Sequence, residues 1–525
     1  MKRLKIAIID LTSNRPVQRL YSRLMNANSA SLMPQAIAVW CEQLGHEVRY
    51  ICYTGVEDLD KELPEPVDIC FFSAYTASAQ FAYALSAFFR SSGAVTVLGG
   101  PHARCYPEDA AFYFDYVLGM TDKPIIRDVL ADGERHRPFG LYLTAEKQPE
   151  EIPGVRERWK FISATIAKTP FLKLIPMIGS TGCPYTCSFC IDAVVPYQAL
   201  GLDQMREDLR FLLTTAKTSR VAWHDPNFGV RFNDHLSIIE EEVPPGRIEF
   251  LAESSLSLLS EPNLARLKKN GFVALLPGIE SWYEHGNKSK TGKQMGMDKV
   301  RQVAEHVNTI LRYVPYVQTN FVLGLDCDDG TEPFELIKRF LDLAPGAYPA
   351  FSLLTAYGRA AALNLQYQSE GRVVPVPFHF LNNTRMMNVR PKNYGWSEFF
   401  GLVSDLVGDA HSKRRIFRRF QASRGFNARW FSTLRAATSK KAESYARFGG
   451  QLQAEGPLRD FFEGHTSTVP ELLTAIIRRD LGPYRNYLPQ AGLAHDHLAY
   501  MKTSESSADK DKPQALVIPP LLMPV

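Results

Sequence analysis

The chain has 525 residues, 45% of them apolar, and a formal net charge of +4. That length predicts about three domains, and so mild a charge speaks against nucleic acid as a partner. Eight cysteines over this length imply no disulfide framework and fit a reducing compartment, and no apolar run approaches the roughly 18 residues of a transmembrane helix. The opening residues, Met1-Lys-Arg-Leu-Lys-Ile-Ala-Ile-Ile-Asp10, have too short an apolar run for a signal peptide and read as a first strand. The expected location is the cytoplasm, either free or in peripheral contact with a membrane surface.

Residues 1–130 alternate short apolar runs with helical patterns. Strands are predicted at Lys5–Leu11, Glu47–Tyr53, Val67–Ser73, Val95–Gly99 and Tyr116–Gly119, with helices such as Leu32–Leu44 and Ala79–Arg90 between them. Short apolar runs joined by helical crossovers imply a parallel, doubly wound sheet. Such sheets bind ligands at the carboxyl ends of their strands, here Asp10–Arg15, Ser73–Ser78 and Gly99-Gly100-Pro101-His102. Residues 131–168, with Pro138, Gly140, Pro149, Pro153 and Gly154, read as an interdomain connection.

Residues 169–365 repeat strand then helix six times. The predicted strands are Leu172–Gly179, Arg220–His224, Ile248–Ala252, Val273–Gly278, Tyr316–Leu323 and Ala350–Thr355. Helices are predicted at Asp203–Thr215, Glu261–Asn270, Met297–Ile310 and Glu332–Leu343. Residues 366–502 are helical and aromatic, and Phe378, Phe380, Tyr394, Trp396, Phe399 and Phe400 suit either a core or a flat, apolar, lipid-like substrate. Within them Lys413–Arg447 holds eleven Lys or Arg and one acid, Glu443. A solvated helical face is the ordinary reading of such a run, and an anionic membrane surface or acidic partner is the other. Residues 503–525 have the composition of a disordered tail.

The densest chemistry lies in Ser180-Thr-Gly-Cys183-Pro-Tyr-Thr-Cys187-Ser-Phe-Cys190-Ile-Asp192. Three thiolates at Cys-x3-Cys-x2-Cys can hold three irons of a cubic [4Fe–4S] cluster. The other cysteines, Cys41, Cys52, Cys70, Cys105 and Cys327, lie elsewhere, so one iron would stay open to bind and activate a molecule. Zinc or structural thiols are the alternatives, although zinc usually takes four ligands with a second Cys pair or histidines downstream.

This spacing, with Phe189 before the last cysteine, resembles the radical S-adenosylmethionine (radical SAM) enzymes. The resemblance implies a partial (β/α)6 barrel with the cysteine loop after its first strand. It also implies S-adenosylmethionine chelated on the open iron and cleaved to a 5′-deoxyadenosyl radical, with the electron coming from a donor such as flavodoxin or ferredoxin. The segment Val97-Leu-Gly-Gly-Pro-His102-Ala is similar to the cobalamin-binding domain that precedes many of these barrels, which marks Ser73, Gly99 and Gly100 for cobalamin. The loop Asp10-Leu-Thr-Ser-Asn-Arg15 departs from the axial-ligand pattern, since it has no histidine for cobalt. His102 reads as a loop residue and not as that ligand.

Further matches are looser. Asp225-Pro-Asn227-Phe-Gly229 stands where many relatives carry Gly-Gly-Glu, and Asp225 and Asn227 are expected to hold the methionine end, an ammonium being all donor; a turn favours the same residues. Gly278-Ile-Glu280-Ser281 is similar to the family's Gly-x-Glu-Ser, which places Glu280 and Ser281 near the cofactor, with helix capping and loop ion pairs as alternatives. Asn320-Phe-Val322-Leu-Gly324-Leu-Asp-Cys327 echoes a strand that packs on adenine, which suggests Val322 and Gly324 as backbone contacts. Cys327 is a weak candidate for hydrogen-atom donation and more commonly a small apolar filler. Asn287-Lys-Ser-Lys-Thr-Gly292 lacks the order of a phosphate loop and reads as a surface or gating loop. The resemblance favours a cobalamin-dependent C-methyltransferase acting on a small molecule. A cyclase or rearrangement enzyme without methyl transfer, and more distantly a non-enzymatic iron–sulfur redox sensor, are the other readings.

Overall fold

A computed structural model describes residues 3–16, 30–63, 66–133, 135–168, 173–215, 217, 219–283, 294–358 and 360–495. The expectations for Asn287–Gly292, for the tail beyond Met501 and for Leu172 as a strand start lie outside these residues.

The first sheet contains β1 (Lys5–Leu11), β2 (Glu47–Tyr53), β3 (Ile69–Ala74), β4 (Val95–Gly99), β5 (Tyr116–Leu118) and β6 (Leu141–Leu143), all parallel, in the order β2-β1-β3-β4-β5-β6. β1, β3 and β4 are buried along nearly their whole length, as expected of central strands covered by helices on both faces. The order reverses between β1 and β3, the place where such a sheet opens a crevice at its carboxyl edge. β6 falls inside the stretch read as a connection. Its three residues are too few to stand out in sequence, and helix Val155–Ala167 follows it.

The second sheet starts with β7 (Ile175–Met177). The short antiparallel pair β8 (Ser180–Thr181) and β9 (Gln198–Ala199) then brackets the cysteines. β10 (Ser219–Trp223), β11 (Ile248–Ala252), β12 (Phe272–Leu275), β13 (Gly278–Glu280), β14 (Tyr316–Leu323) and β15 (Tyr348–Leu353) follow, with helices between, and every pairing in this sheet is parallel. β12 and β13 both pair with β14 and are one strand interrupted at Leu276-Pro277. The predicted strand Val273–Gly278 is therefore split, because a proline has no N–H to give the ladder. Counted this way the sheet has the six positions of the expected partial barrel.

β14 shows how sequence sets the faces. Val317, Thr319, Phe321 and Leu323 are buried, and Phe321 meets Phe340 of helix Glu332–Leu343 at 5.7 Å between ring centres. Alternation then puts Gln318, Asn320 and Val322 on the inner face. The sheets are tied together by the buried Arg158. Its guanidinium donates to Gln35 Oε1 at 2.8 Å, to the Pro176 carbonyl on β7 at 3.0 Å and to the Pro153 carbonyl at 2.8 Å. An unpaired buried cation would be very costly, so these acceptors hold the two sheets in one orientation.

Residues beyond β15 are mostly helical. Phe378, Phe380, Tyr394, Trp396, Phe399 and Phe400 are all buried, so these rings belong to the core. The basic stretch is only partly a solvated face. Arg415 is buried against Asp342 and Asp409, and Arg419 donates to the Ala347 and Ala410 carbonyls. These two cations hold the helix Lys413–Ala422 to the barrel.

Candidate active site

The carboxyl ends of the two sheets open on one cavity of about 340 Å³. Ser73 at the end of β3 and Gly99-Gly100 after β4 line one side, and Thr181, Gly182 and Asp192 of the cysteine loop line the other. Arg104, on the short helix after Gly100, reaches across to Asp192 at 3.3 Å. Tyr75 also faces this space and is among the most exposed large side chains of the molecule. Arg104 carries no motif, and Tyr75, Thr181 and Asp192 lie inside segments marked in sequence without a role of their own. Only the meeting of the two sheets gives them a place.

The cysteine loop leaves β8 through Gly182, whose φ is +66°. A Cβ there would stand 2.3 Å from the Pro196 carbonyl oxygen, so a glycine is required. Cys183, Cys187 and Cys190 are half-buried. The Cys190 N–H donates to the Cys187 carbonyl at 2.9 Å, and the Leu363 N–H, from the chain after β15, donates to the Ser188 carbonyl at 3.1 Å. Phe189 is half-buried against the core. Thr181 Oγ1 is buried on the cavity side with no hydrogen-bond partner among the described residues.

Asp225 lies beneath this loop and not in the cavity. Its Oδ2 accepts from the Gly179 N–H at 2.9 Å and its Oδ1 from the Ser180 hydroxyl at 2.6 Å. Burial pushes the carboxyl up to about 6 despite those donors. Asn227 is also engaged within the protein, its Oδ1 accepting from the Ser255 and Gly229 N–H groups and its Nδ2 reaching Ser255 Oγ. Both residues thus brace the strand ends in this structure through backbone and hydroxyl donors.

On the first sheet, Gly100 has φ +90°, and a Cβ there would sit 3.0 Å from both Ala74 N and O and 3.2 Å from Ser73 Oγ. That close backbone approach leaves the turn open towards the cavity. Asp10, at the end of β1, accepts from the Ser31 N–H at 2.6 Å, the Ser31 hydroxyl at 3.0 Å and the Tyr50 hydroxyl at 3.3 Å. His102 is not in a loop but on helix Pro101–Cys105, wholly buried, with Nε2 against Tyr83 Oη at 2.7 Å. Burial lowers it to about 3, and this placement removes it as a cobalt ligand.

Around β13 and β14, Glu280 has φ +65°, a region that costs a non-glycine residue about 1–3 kcal/mol. Its carboxylate folds back beside Gly278, where a Cβ would collide with it. The buried Lys299 donates to the Ser281 carbonyl at 2.7 Å and the Tyr283 carbonyl at 3.2 Å, which fixes this bend. The Ser281 hydroxyl lies 3.7 Å from Cys327 Sγ. Val322 is half-buried on the inner face of β14. Gly324 serves packing, since Met387 and Phe399 fill the space beside its Cα.

The donor set suits a cluster. Cys41, Cys52, Cys70 and Cys105 are buried within the first sheet and its helices, and Cys327 is engaged by Ser281. No group of three His, Cys, Asp or Glu among the described residues is arranged around a single metal ion. Three thiols on one loop, with Thr181 of that loop and the Gly100 turn lining one cavity, fit a cluster and a second cofactor.

These features define an α/β protein with two parallel sheets whose carboxyl ends converge on a cysteine-bearing cleft. The solved structures that it resembles share that layout. OxsB, a cobalamin-dependent S-adenosylmethionine radical enzyme solved with aqua-cobalamin and S-adenosylmethionine bound, superposes with a TM-score of 0.51 over 93% of this chain and 84% of its own, at 12% identity. The radical S-adenosylmethionine methyltransferase TsrM from Kitasatospora setae, with cobalamin and a [4Fe–4S] cluster bound, gives a TM-score of 0.51 over 70% of this chain and 78% of its own, at 13% identity. The chain thus has the radical SAM fold, in the form with a cobalamin-binding-like sheet ahead of the barrel and a helical region after it. By sequence it is 23% identical over 298 residues to the bacteriochlorophyllide d C-12(1)-methyltransferase of Chlorobaculum tepidum, covering 55% of this chain and 64% of that protein. It is 24% identical over 320 residues to the C-8(2)-methyltransferase of the same organism, covering 55% and 66%. Either match spans less than two thirds of the relative's length. No family model matches the chain. No helix among the described residues is long and apolar enough to cross a membrane.

Proposed function

We propose that this chain is a radical SAM enzyme that methylates an unactivated carbon of a small molecule with the help of cobalamin. Cys183, Cys187 and Cys190 would hold a [4Fe–4S] cluster with one iron left for S-adenosylmethionine, and Ser73, Gly99 and Gly100 would face cobalamin. When bound, these groups supply one-electron cleavage of S-adenosylmethionine and a methyl carrier. The protein's part is placement. Asp225 and Asn227 brace the strand ends beneath the site and, with Phe189, Glu280, Ser281, Val322 and Gly324, would contact S-adenosylmethionine. The observation that carries this reading is the shared cavity: the cysteine loop and the Gly99-Gly100 turn open on the same space.

The substrate we infer has a flat, apolar surface. Both sequence relatives are named for methylating a bacteriochlorophyllide, which supports this choice. The reducing electron would come from a small donor such as flavodoxin or ferredoxin, and the enzyme would work in the cytoplasm in peripheral contact with a membrane. The test is anaerobic reconstitution with iron, sulfide and cobalamin, followed by turnover with methyl-labelled S-adenosylmethionine. Both 5′-deoxyadenosine and S-adenosylhomocysteine should form, and the Cys183→Ala, Cys187→Ala, Cys190→Ala triple variant should form no 5′-deoxyadenosine. Formation of 5′-deoxyadenosine without S-adenosylhomocysteine would refute methyl transfer and favour cyclisation or rearrangement. No cleavage at all in the reduced, iron-loaded protein would refute the enzyme reading.

A further inference from the structure

Helices Lys413–Ala422 and Phe426–Ala437 form a hairpin at the amino-terminal end of the barrel strands. Their inward faces are held by ion pairs and hydrogen bonds. Arg415 pairs with Asp342 at 2.8 Å, Arg419 donates to the Ala347 carbonyl just before β15, and Arg435 donates to the Tyr316 hydroxyl at the start of β14 at 2.8 Å. What remains faces outward, and it is not an ordinary solvated surface. Phe417 is 61% exposed, Phe426 74%, Trp430 53% and Leu434 39%. Phe426, Trp430 and Leu434 repeat every four residues and so form one stripe along their helix. The stripe is continuous with the first helix, since Trp430 lies 6.0 Å from Phe426 and 5.9 Å from Phe420 between ring centres.

The hairpin itself carries charge of one sign, and the acids it meets, Asp342 and Asp409, are already paired with its arginines. Residues 412–442 contain ten Lys or Arg and no Asp or Glu, and Lys413, Arg414, Arg424 and Lys440 are exposed. Large aromatics rimmed by cations match the boundary of an anionic bilayer, where rings enter the headgroup level and cations meet lipid phosphates. A second copy of this face would bring like charges together and is disfavoured for that reason. We propose that this hairpin docks the protein on an anionic lipid surface through Phe417, Phe426 and Trp430. Because it sits at the amino ends of the barrel strands, docking leaves the cavity at their carboxyl ends uncovered. The proposal gives a surface to the peripheral contact inferred above and is independent of the chemistry, since vesicle binding and S-adenosylmethionine cleavage are read in separate assays.

The test is flotation of the full chain with vesicles of phosphatidylcholine alone and of phosphatidylcholine with phosphatidylglycerol, roughly 3:1. The protein should float with the anionic vesicles only, and less so as salt is raised to about 0.5 M. The Phe417→Ser, Phe426→Ser, Trp430→Ser triple variant, altered only at exposed side chains, should partition about tenfold less while it cleaves S-adenosylmethionine as the parent does. Trp430 is the exposed member of six tryptophans, so binding should shift emission to the blue, and Trp430→Phe should bind without that shift. Equal binding to neutral vesicles, no binding to anionic ones, or unchanged binding by the triple variant would overturn the proposal. A dimer in the parent that becomes a monomer in the triple variant would assign the face to a second copy instead.

Discussion

Asp225 accepts a 2.6 Å hydrogen bond from Ser180, and so the end of β10 holds the strand from which the cysteine loop departs. With its other oxygen on the Gly179 N–H, Asp225 is a positioning residue for the loop. Replacing it by alanine leaves two buried donors without an acceptor, at a cost of about 1–3 kcal/mol each. Asp225→Ala should therefore reduce iron bound per chain after anaerobic reconstitution, while far-ultraviolet dichroism is retained. Asp225→Asn, which keeps an acceptor oxygen, should recover part of the iron. Full iron loading in Asp225→Ala would exclude the role.

Gly100 offers a separate handle on the other side of the cavity. At φ +90°, with backbone atoms of Ala74 3.0 Å from where a Cβ would lie, Gly100→Ala should cost about 1–3 kcal/mol and close the turn. Cobalamin bound per chain should fall, with cluster iron unchanged. Loss of both together would mean that the substitution unfolds more than the turn.

Asp10 makes a prediction about pH. Burial raises it from 3.8 to about 6, so between those values the folded state binds more protons than the unfolded one. Stability is then highest below about pH 4 as far as this group is concerned, and it falls as pH rises to about 6. A shift of about two units corresponds to about 2–3 kcal/mol. Asp10→Asn should remove that part of the slope, and the unfolding midpoint measured from pH 4 to 6 should be flatter than in the parent. An unchanged slope would show that Asp10 is ionised throughout.

Cys327 is expected to be dispensable. Burial and the neighbouring Asp328 raise its thiol above the usual value, and its contact is the Ser281 hydroxyl. Cobalamin-dependent methyl transfer to carbon needs no hydrogen-atom donor from the protein. Cys327→Ala should change the rate of labelled-methyl incorporation by less than about fivefold. Loss of product with continued formation of 5′-deoxyadenosine would instead make the thiol part of the reaction.

Much of this protein was legible in order along the chain. Apolar runs with helical spacing between them marked nearly every strand of both sheets, because the central strands of the first sheet are covered on both faces and those of the barrel on at least one. The cysteine spacing marked the cluster loop, because it is a local feature of thirteen residues, Ser180–Asp192. What tertiary structure decided is which ends face each other and which polar groups are already taken. Asp225 reads as a ligand in sequence, and the fold adds a bracing role, since its oxygens meet Gly179 and Ser180. The pairing of Arg104 with Asp192 has no signal in sequence, the two being separated by 88 positions, yet they meet across the cavity. The basic run was visible as charge alone. Only the fold separates Arg415, Arg419 and Arg435, turned inward to hold the barrel, from the exposed aromatic stripe beside them. Local spacing sets what a segment can bind, and the partners that satisfy or free each side chain come from strands far away in sequence.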